Sequence, residues 1–218
     1  ATSLAGNDGE ISPKILDEAL QSKTQLYDKT GDYHYDAISA FIKSVRGSDP
    51  DASVYWLALM LEGGEKPEFI ARRLIILASE DIGNADPQGL TIATSVFQAV
   101  HMIGMPEASI ILSQITTYLA SAPKSNASYM AINSAMKKIA SEGSPSVPLN
   151  LRNAPTGLMK SLDYGKDYQY PHNHPDHFVD ADYFPEGKSE TFYHPTELGY
   201  EEYIRGRLKK LWPKRYSD

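Results

Sequence analysis

With 28 acidic against 21 basic side chains in 218 residues, this chain carries a net charge of -7. That balance excludes a protein that coats nucleic acid through bulk positive charge and leaves only local basic patches for such contact. The absence of cysteine rules out disulfides and zinc-thiolate sites. No apolar run approaches the roughly 18 residues that a membrane span requires, and Ala1 to Glu10 lacks the basic and apolar parts of a signal peptide. A cytoplasmic protein is expected.

Taken in chain order, residues 1–10 read as a small, polar, disordered leader. Ser12-Pro13 opens a short helix with Ile15, Leu16, Ala19 and Leu20 on one side. From Tyr33 to Val45, Ile38, Phe41, Ile42 and Val45 recur at helical spacing. Asp49-Pro50 then signals a helix start, because the carboxylate can accept from free first-turn amides and proline at the first position has no amide to leave unpaired. Behind it, Val54, Leu57, Ala58 and Leu61 form a stripe with Trp56 and Met60 at its flank. After Pro67 come Ile70, Leu74, Leu77 and Ala78, and after the second pair, Asp86-Pro87, come Leu90, Ala93, Phe97 and Val100. A helix after Pro106 carries Ile111, Ile115, Tyr118 and Leu119, and one beginning near Ser125 carries Tyr129, Met130, Asn133, Met136 and Ile139. Stops are expected at Gly63-Gly64, Gly83, Gly104 and Gly143, where positive φ is tolerated.

Residues 33–142 therefore read as an all-α antiparallel helical bundle with short loops. Composition shifts at Ser144. A short helix is expected around Leu158, Met159 and Leu162, followed from Tyr164 to Pro195 by an irregular Tyr/Pro-rich arm, extended and with room for a short hairpin. The segment is too aromatic for a disordered tail. A last helix is expected from Thr196 through Leu211.

The motifs of most catalytic classes are missing: there is no Gly-x-x-x-x-Gly-Lys-Ser/Thr phosphate loop, no Gly-x-Ser-x-Gly, no His-Glu-x-x-His and no EF-hand loop. His172, His174 and His177 with Asp176 and Asp180 can ligate a transition metal or can pack as a surface loop against neighbouring tyrosines, and their Pro-rich setting favours the second. Glu80-Asp81 places negative charge in the last turn of a helix, against the macrodipole. Such a break marks either a functional site or an ion pair with another helix, and pairing is the simpler account. Lys124, at a helix start after Pro123, can help hold an anion or serve an ordinary cap. Arg205, Arg207, Lys209, Lys210, Lys214 and Arg215 surround Trp212, a cluster suited either to phosphates and a stacked base or to a solvated helix face.

Several segments together resemble one family. They are Tyr35-Asp36, Ser44-Val45-Arg46-Gly47-Ser48-Asp49-Pro50-Asp51-Ala52, Tyr55-Trp56-Leu57-Ala58, Phe69-Ile70-Ala71-Arg72-Arg73-Leu74 and Ala78-Ser79-Glu80-Asp81-Ile82-Gly83 to Ala85-Asp86-Pro87. Further matches lie at Tyr118-Leu119-Ala120, Ala122-Pro123-Lys124-Ser125-Asn126-Ala127, Val147-Pro148-Leu149, Leu151-Arg152-Asn153-Ala154-Pro155-Thr156 and Tyr164-Gly165-Lys166. The sequence is similar to the C-terminal part of the RarA/MgsA family, replication-associated recombination AAA+ ATPases related to the eukaryotic Werner-helicase-interacting protein. The resemblance covers the chain from Ile11 onward.

What it implies is an organisation and a role. Residues 11–30 would be the end of the AAA+ lid, 31–143 a clamp-loader-collar-like oligomerisation domain and 144–218 a C-terminal extension. The chain would be a fragment without catalysis or cofactor of its own, its ATP and Mg held by an absent N-terminal domain. The resemblance further implies a homotetramer, a nucleoid-associated location, action on DNA at stalled forks and single-stranded-DNA-binding protein as a partner. Trp56 and Met60 are the candidate oligomer contacts, since the stripe beside them is already filled. The alternative reading is a DNA-binding module in which Arg46, Arg72, Arg73, Lys124, Arg152, Lys209 and Lys210 track the phosphate backbone.

Overall fold

Prolines, glycines and a few side-chain caps mark the helix limits. The computed structural model describes residues 32–185 and 188–217. The expected leader, the helix at Ser12-Pro13 and the lid segment 11–30 lie outside them. Helix α1 (Asp32–Arg46) is followed by α2 (Pro50–Glu62), where Asp49 Oδ1 accepts from the Ala52 amide at 2.9 Å with Pro50 in the first position. Helix α3 (Pro67–Leu77) runs into one π-helical turn (Ala78–Ile82) and a 3-10 turn (Gly83–Ala85). Helices α4 (Gln88–Ile103) and α5 (Ala108–Ser121) complete the first of two compact units, Ala1–Asn126.

Asp86-Pro87 works differently from Asp49-Pro50. Asp86 Oδ1 accepts from the Gln88 amide at 3.1 Å, while Oδ2 takes the Tyr118 hydroxyl of α5 at 2.5 Å. That bond, with burial, pushes the Tyr118 phenol up to about 12. One aspartate thus opens α4 and ties it to α5.

Helix α5 is the centre of this unit, packing against α1, α2, α3 and α4. Its buried residues Leu112, Ile115, Thr116, Leu119 and Ala120 meet Phe41 and Val45 of α1, Leu57 and Met60 of α2, Ile70, Leu74 and Leu77 of α3 and Val100 of α4 in one core. Each such large side chain taken out of water contributes about 2 kcal/mol before conformational entropy is charged.

Two stripes differ from the expected ones. In α2 the buried line is Ser53, Leu57 and Met60, and Ala58 faces solvent. Ser53 can be enclosed because its hydroxyl donates to the Asp49 carbonyl at 2.6 Å, which rotates the buried face by about one residue. In α4 the line is Gly89, Ala93, Val96 and Val100, with Leu90 exposed. A Cβ at Gly89 would stand 3.4 Å from Ile82 and 3.5 Å from Leu119, so the helix makes its close approach on the glycine side.

The second unit, Ala127–Asp218, begins with α6 (Ala127–Glu142). This helix, which the sequence groups with those before it, sorts with the C-terminal segments because only Ala127 of its sixteen residues is buried. After a 3-10 turn (Leu149–Leu151), Thr156 caps the short α7 (Gly157–Ser161), and two more 3-10 turns follow at Pro171–Asn173 and Pro175–His177. No strand occurs among the described residues, so the hairpin anticipated in the arm does not form.

The last helix, α8 (Tyr200–Leu211), starts four residues later than expected. Thr196 gives its amide (2.8 Å) and hydroxyl (2.9 Å) to Glu201, and that bond pattern holds 196–199 as a turn ahead of the helix. Glu201 is fully buried and also accepts from the Tyr193 hydroxyl at 2.9 Å. The chain is all-α throughout the described residues, as its periodicity predicts.

Candidate functional site

The acidic pair that breaks the macrodipole rule belongs to a structural junction. In the π-helical turn, Asp81 Oδ1 meets Arg46 Nε at 2.5 Å, and Glu80 Oε1 lies 3.3 Å from Arg46 Nη2. Arg46 occupies the last turn of α1, where a cation also favours the helix dipole. The Asp81 carbonyl accepts from the Ser125 amide at 2.8 Å, which fastens the loop after α5 to the same turn. Gly83, at φ +52 and ψ -134, closes the junction.

Arg46→Ala strips the principal cation from a carboxylate that is 8% exposed. Its expected cost is about 2 kcal/mol, and Asp81→Asn in the same chain should recover most of it. Urea unfolding of the two single variants and the double variant measures this. A single-variant loss below about 0.5 kcal/mol would make the pair an ordinary surface contact.

Lys124 does not reach for an anion. Its Nζ donates to the carbonyls of Ala120 at 2.9 Å and Ala122 at 2.6 Å, so it closes the C-terminal end of α5. Burial holds its pKa below the usual lysine range, against the opposing pull of Asp81. Arg46 and Lys124 therefore both lie in the field of the Asp81 carboxylate.

The other basic candidates are scattered over both units. Arg72 lies over the Phe69 ring at 5.9 Å, and Arg73 has its Nε buried without a hydrogen-bond partner. Arg152 donates to the Val147 carbonyl at 2.8 Å and to the Tyr164 hydroxyl at 3.1 Å while lying over the Tyr164 ring, an internal brace. Lys210 reaches Asp176 at 3.2 Å on the surface. Of the seven, Lys209 alone lines a described cavity.

The histidine loop packs with itself: His172 sits 4.9 Å from His177 and 5.0 Å from Tyr170, ring centre to ring centre. Among the described residues no three His, Asp or Glu side chains are grouped to hold a metal ion. Trp212 has Phe178 edge-on at 5.0 Å and the Arg215 guanidinium over its ring at 4.3 Å. Lys188, which follows Gly187, pairs with Glu142 at 2.6 Å.

Of the two candidate oligomer contacts, Met60 is fully enclosed in the core and offers no surface, while Trp56 is half-buried against that core. Large apolar surface lies elsewhere. Met102 and Ile110 are 82% and 70% exposed near the α4–α5 turn. On α6, Tyr129, Ile132, Met136 and Ile139 recur at three- and four-residue spacing and are 44%, 56%, 64% and 49% exposed. Of these four the sequence reading names Tyr129, Met136 and Ile139, with Met130 and Asn133 in place of Ile132.

Helices packed around a central one, a buried ion-pair junction and a further helix with an exposed apolar face define an all-helical region. The chain belongs to the family of MgsA AAA+ ATPase C-terminal regions, whose domain matches residues 47–212. An AAA C-terminal domain matches residues 1–46, so the border between the two falls at the end of α1, inside the first compact unit.

Among its relatives, replication-associated recombination protein A of Coxiella burnetii is 48% identical over 201 residues, 91% of this chain and 46% of that protein. The protein of the same name from Escherichia coli K12 is 40% identical over 203 residues, 92% of this chain and 45% of its own length. ATPase WRNIP1 of Dictyostelium discoideum is 44% identical over 185 residues, covering 84% and 21% respectively. The chain thus spans less than half the length of these relatives. No helix among the described residues is long and apolar enough to cross a membrane.

Proposed function

We propose that this chain is the C-terminal assembly region of a AAA+ ATPase of DNA replication and recombination, and that identical copies meet through α6 to form a homotetramer. The observation that carries this reading is the uncovered stripe of Tyr129, Ile132, Met136 and Ile139. Spacing of three and four residues is that of a coiled-coil seam, which becomes stable only when a second apolar surface excludes water from it. A second copy supplies the same face, and a closed symmetric assembly leaves no seam exposed. Catalysis, with ATP and Mg, belongs in this reading to an N-terminal domain of the parent protein. Binding of forked DNA and of single-stranded-DNA-binding protein are functions of that whole protein.

Light scattering and sedimentation of the chain at several concentrations test the proposal. The wild-type mass should exceed that of one chain. Ile132→Asp with Met136→Asp should weaken association by at least about 100-fold, because each carboxylate would have to be desolvated inside the seam. A wild-type monomer at tens of micromolar, or an unchanged assembly in the double variant, overturns it.

A further inference from the structure

The border between the two family domains, at Arg46 and Gly47, carries no slack. Gly47, Ser48 and Asp49 give their amides to the carbonyls of Lys43 (2.8 Å), Val45 (3.1 Å) and Ser44 (3.0 Å), so the residues that separate α1 from α2 are bonded back onto the last turn of α1. Ser48 completes this turn at φ +62, and Asp49 caps α2 directly behind it. A flexible linker leaves its backbone to water and free to rotate, whereas here every amide of the connection is bonded.

Helix α1 is also held at both ends. At its last turn Arg46 meets Asp81 and Glu80 of the π-helical turn. At its first turn His34 Nδ1 lies 2.6 Å from Glu65 Oε2, with the two side chains 12% and 10% exposed, while Glu65 Oε1 accepts from the Lys66 amide at 3.1 Å. The His34 ring packs against Phe69 of α3, 5.4 Å centre to centre. One carboxylate therefore ties the start of α1 to the start of α3. Between these two attachments Ala37, Ile38, Phe41 and Val45 are enclosed in the core that α5 organises.

We infer that α1 is a coupling strut, which passes a displacement of the AAA C-terminal domain it ends straight into the helices around α5, with no hinge at the domain border. Hinges are a few residues that absorb large changes in φ and ψ, and they lie where buried contacts are sparse. The border has the opposite character. Freeing α1 means exposing its apolar face, parting Arg46 from a largely buried carboxylate and uncovering His34 and Glu65 together. These attachments run the length of the helix, so release of one end leaves the other fastened. The role rests on the reading of the chain as part of a AAA+ ATPase: a movement that accompanies nucleotide turnover in the parent protein then reaches the first compact unit through α1 and is not lost in a linker.

Hydrogen exchange of the full chain, with and without low urea, tests the strut. Amides of α1 from Ile38 onward should exchange through the same opening as those of α5, with protection equal to within about threefold and the same dependence on urea. Glu65→Ala should lower the protection of both helices together, by about tenfold. The same joint exchange is expected in the Ile132→Asp, Met136→Asp double variant, which keeps the result separate from assembly. A wild-type monomer with joint exchange removes the assembly reading and leaves the strut in place. The inference is overturned if α1 of the wild type exchanges more than about 30-fold faster than α5, or if Glu65→Ala speeds α1 alone, since either outcome makes α1 a separately opening element. Joint exchange that is lost in the double variant also overturns it, because the coupling would then lie between copies.

Discussion

Replacing Gly83 by alanine is expected to destabilise the first unit by about 3 kcal/mol. The backbone there, at φ +52 and ψ -134, lies in a region that side-chain-bearing residues rarely enter. A Cβ would also stand 2.9 Å from the Ser125 carbonyl oxygen, a backbone atom that cannot swing aside. Relief requires Ser125 to withdraw, and Ser125 is held by the hydrogen bond its amide donates to the Asp81 carbonyl at 2.8 Å. The clash therefore reaches the turn that presents Asp81 to Arg46. Trp56 and Trp212 are the only tryptophans, one in each compact unit. In a Trp212→Phe background, urea unfolding followed by Trp56 fluorescence should show the midpoint fall. An unchanged midpoint would mean the junction is looser than its distances imply.

Glu201→Ala should cost the second unit a comparable amount, about 3 kcal/mol. The carboxylate is fully enclosed and accepts three hydrogen bonds, from Tyr193, the Thr196 amide and the Thr196 hydroxyl. Alanine leaves those donors without their acceptor and opens a cavity beneath the first turn of α8. Glu201→Gln keeps the shape and one acceptor oxygen but turns a second donor toward Thr196 or Tyr193, so about half the loss is expected. Trp212 fluorescence in a Trp56→Phe background reports on this unit. Equal stability of Glu201→Ala and the wild type would show that the carboxylate carries none of the α8 start.

Both effects rest on residues whose types are easy to see and whose importance is not. Gly83 is legible as a helix stop, because positive φ is a local requirement. The nearness of Ser125, forty-two residues on, is not local and leaves no mark in the spacing. No motif singles out Glu201 in the sequence. Its burial depends on Tyr193 and Thr196 arriving at one point through an irregular segment that has no period to follow. Lys124 and Arg46 are recognisable as cations in a family motif, but their partners are helix-end carbonyls and an acidic turn. A basic residue in a sequence does not announce whether its charge is already spent.

The helix faces divide the same way. Periodicity located an apolar side on each helix, yet in α2 it missed the true line by one residue, about 100° of rotation, because a self-satisfied Ser53 was cheap to bury. On α6 the sequence reading finds Tyr129, Met136 and Ile139 but not Ile132, and it does not show that the line is exposed. Spacing identifies an apolar face without identifying what covers it, and among the described residues Ile132 and Met136 are exposed.

What the amino-acid sequence determined alone is the set of helices and where most of them begin and end, together with membership of the family. Caps, prolines and positive-φ glycines act through hydrogen bonds and sterics within about four residues, so they are written in order along the chain. The tertiary structure decided which faces are enclosed, which cations pair internally, and that His34 and Arg46 fasten the two ends of α1. Those outcomes depend on groups brought together from distant positions by the packing of whole elements, and desolvation, which sets their energies, has no local signature.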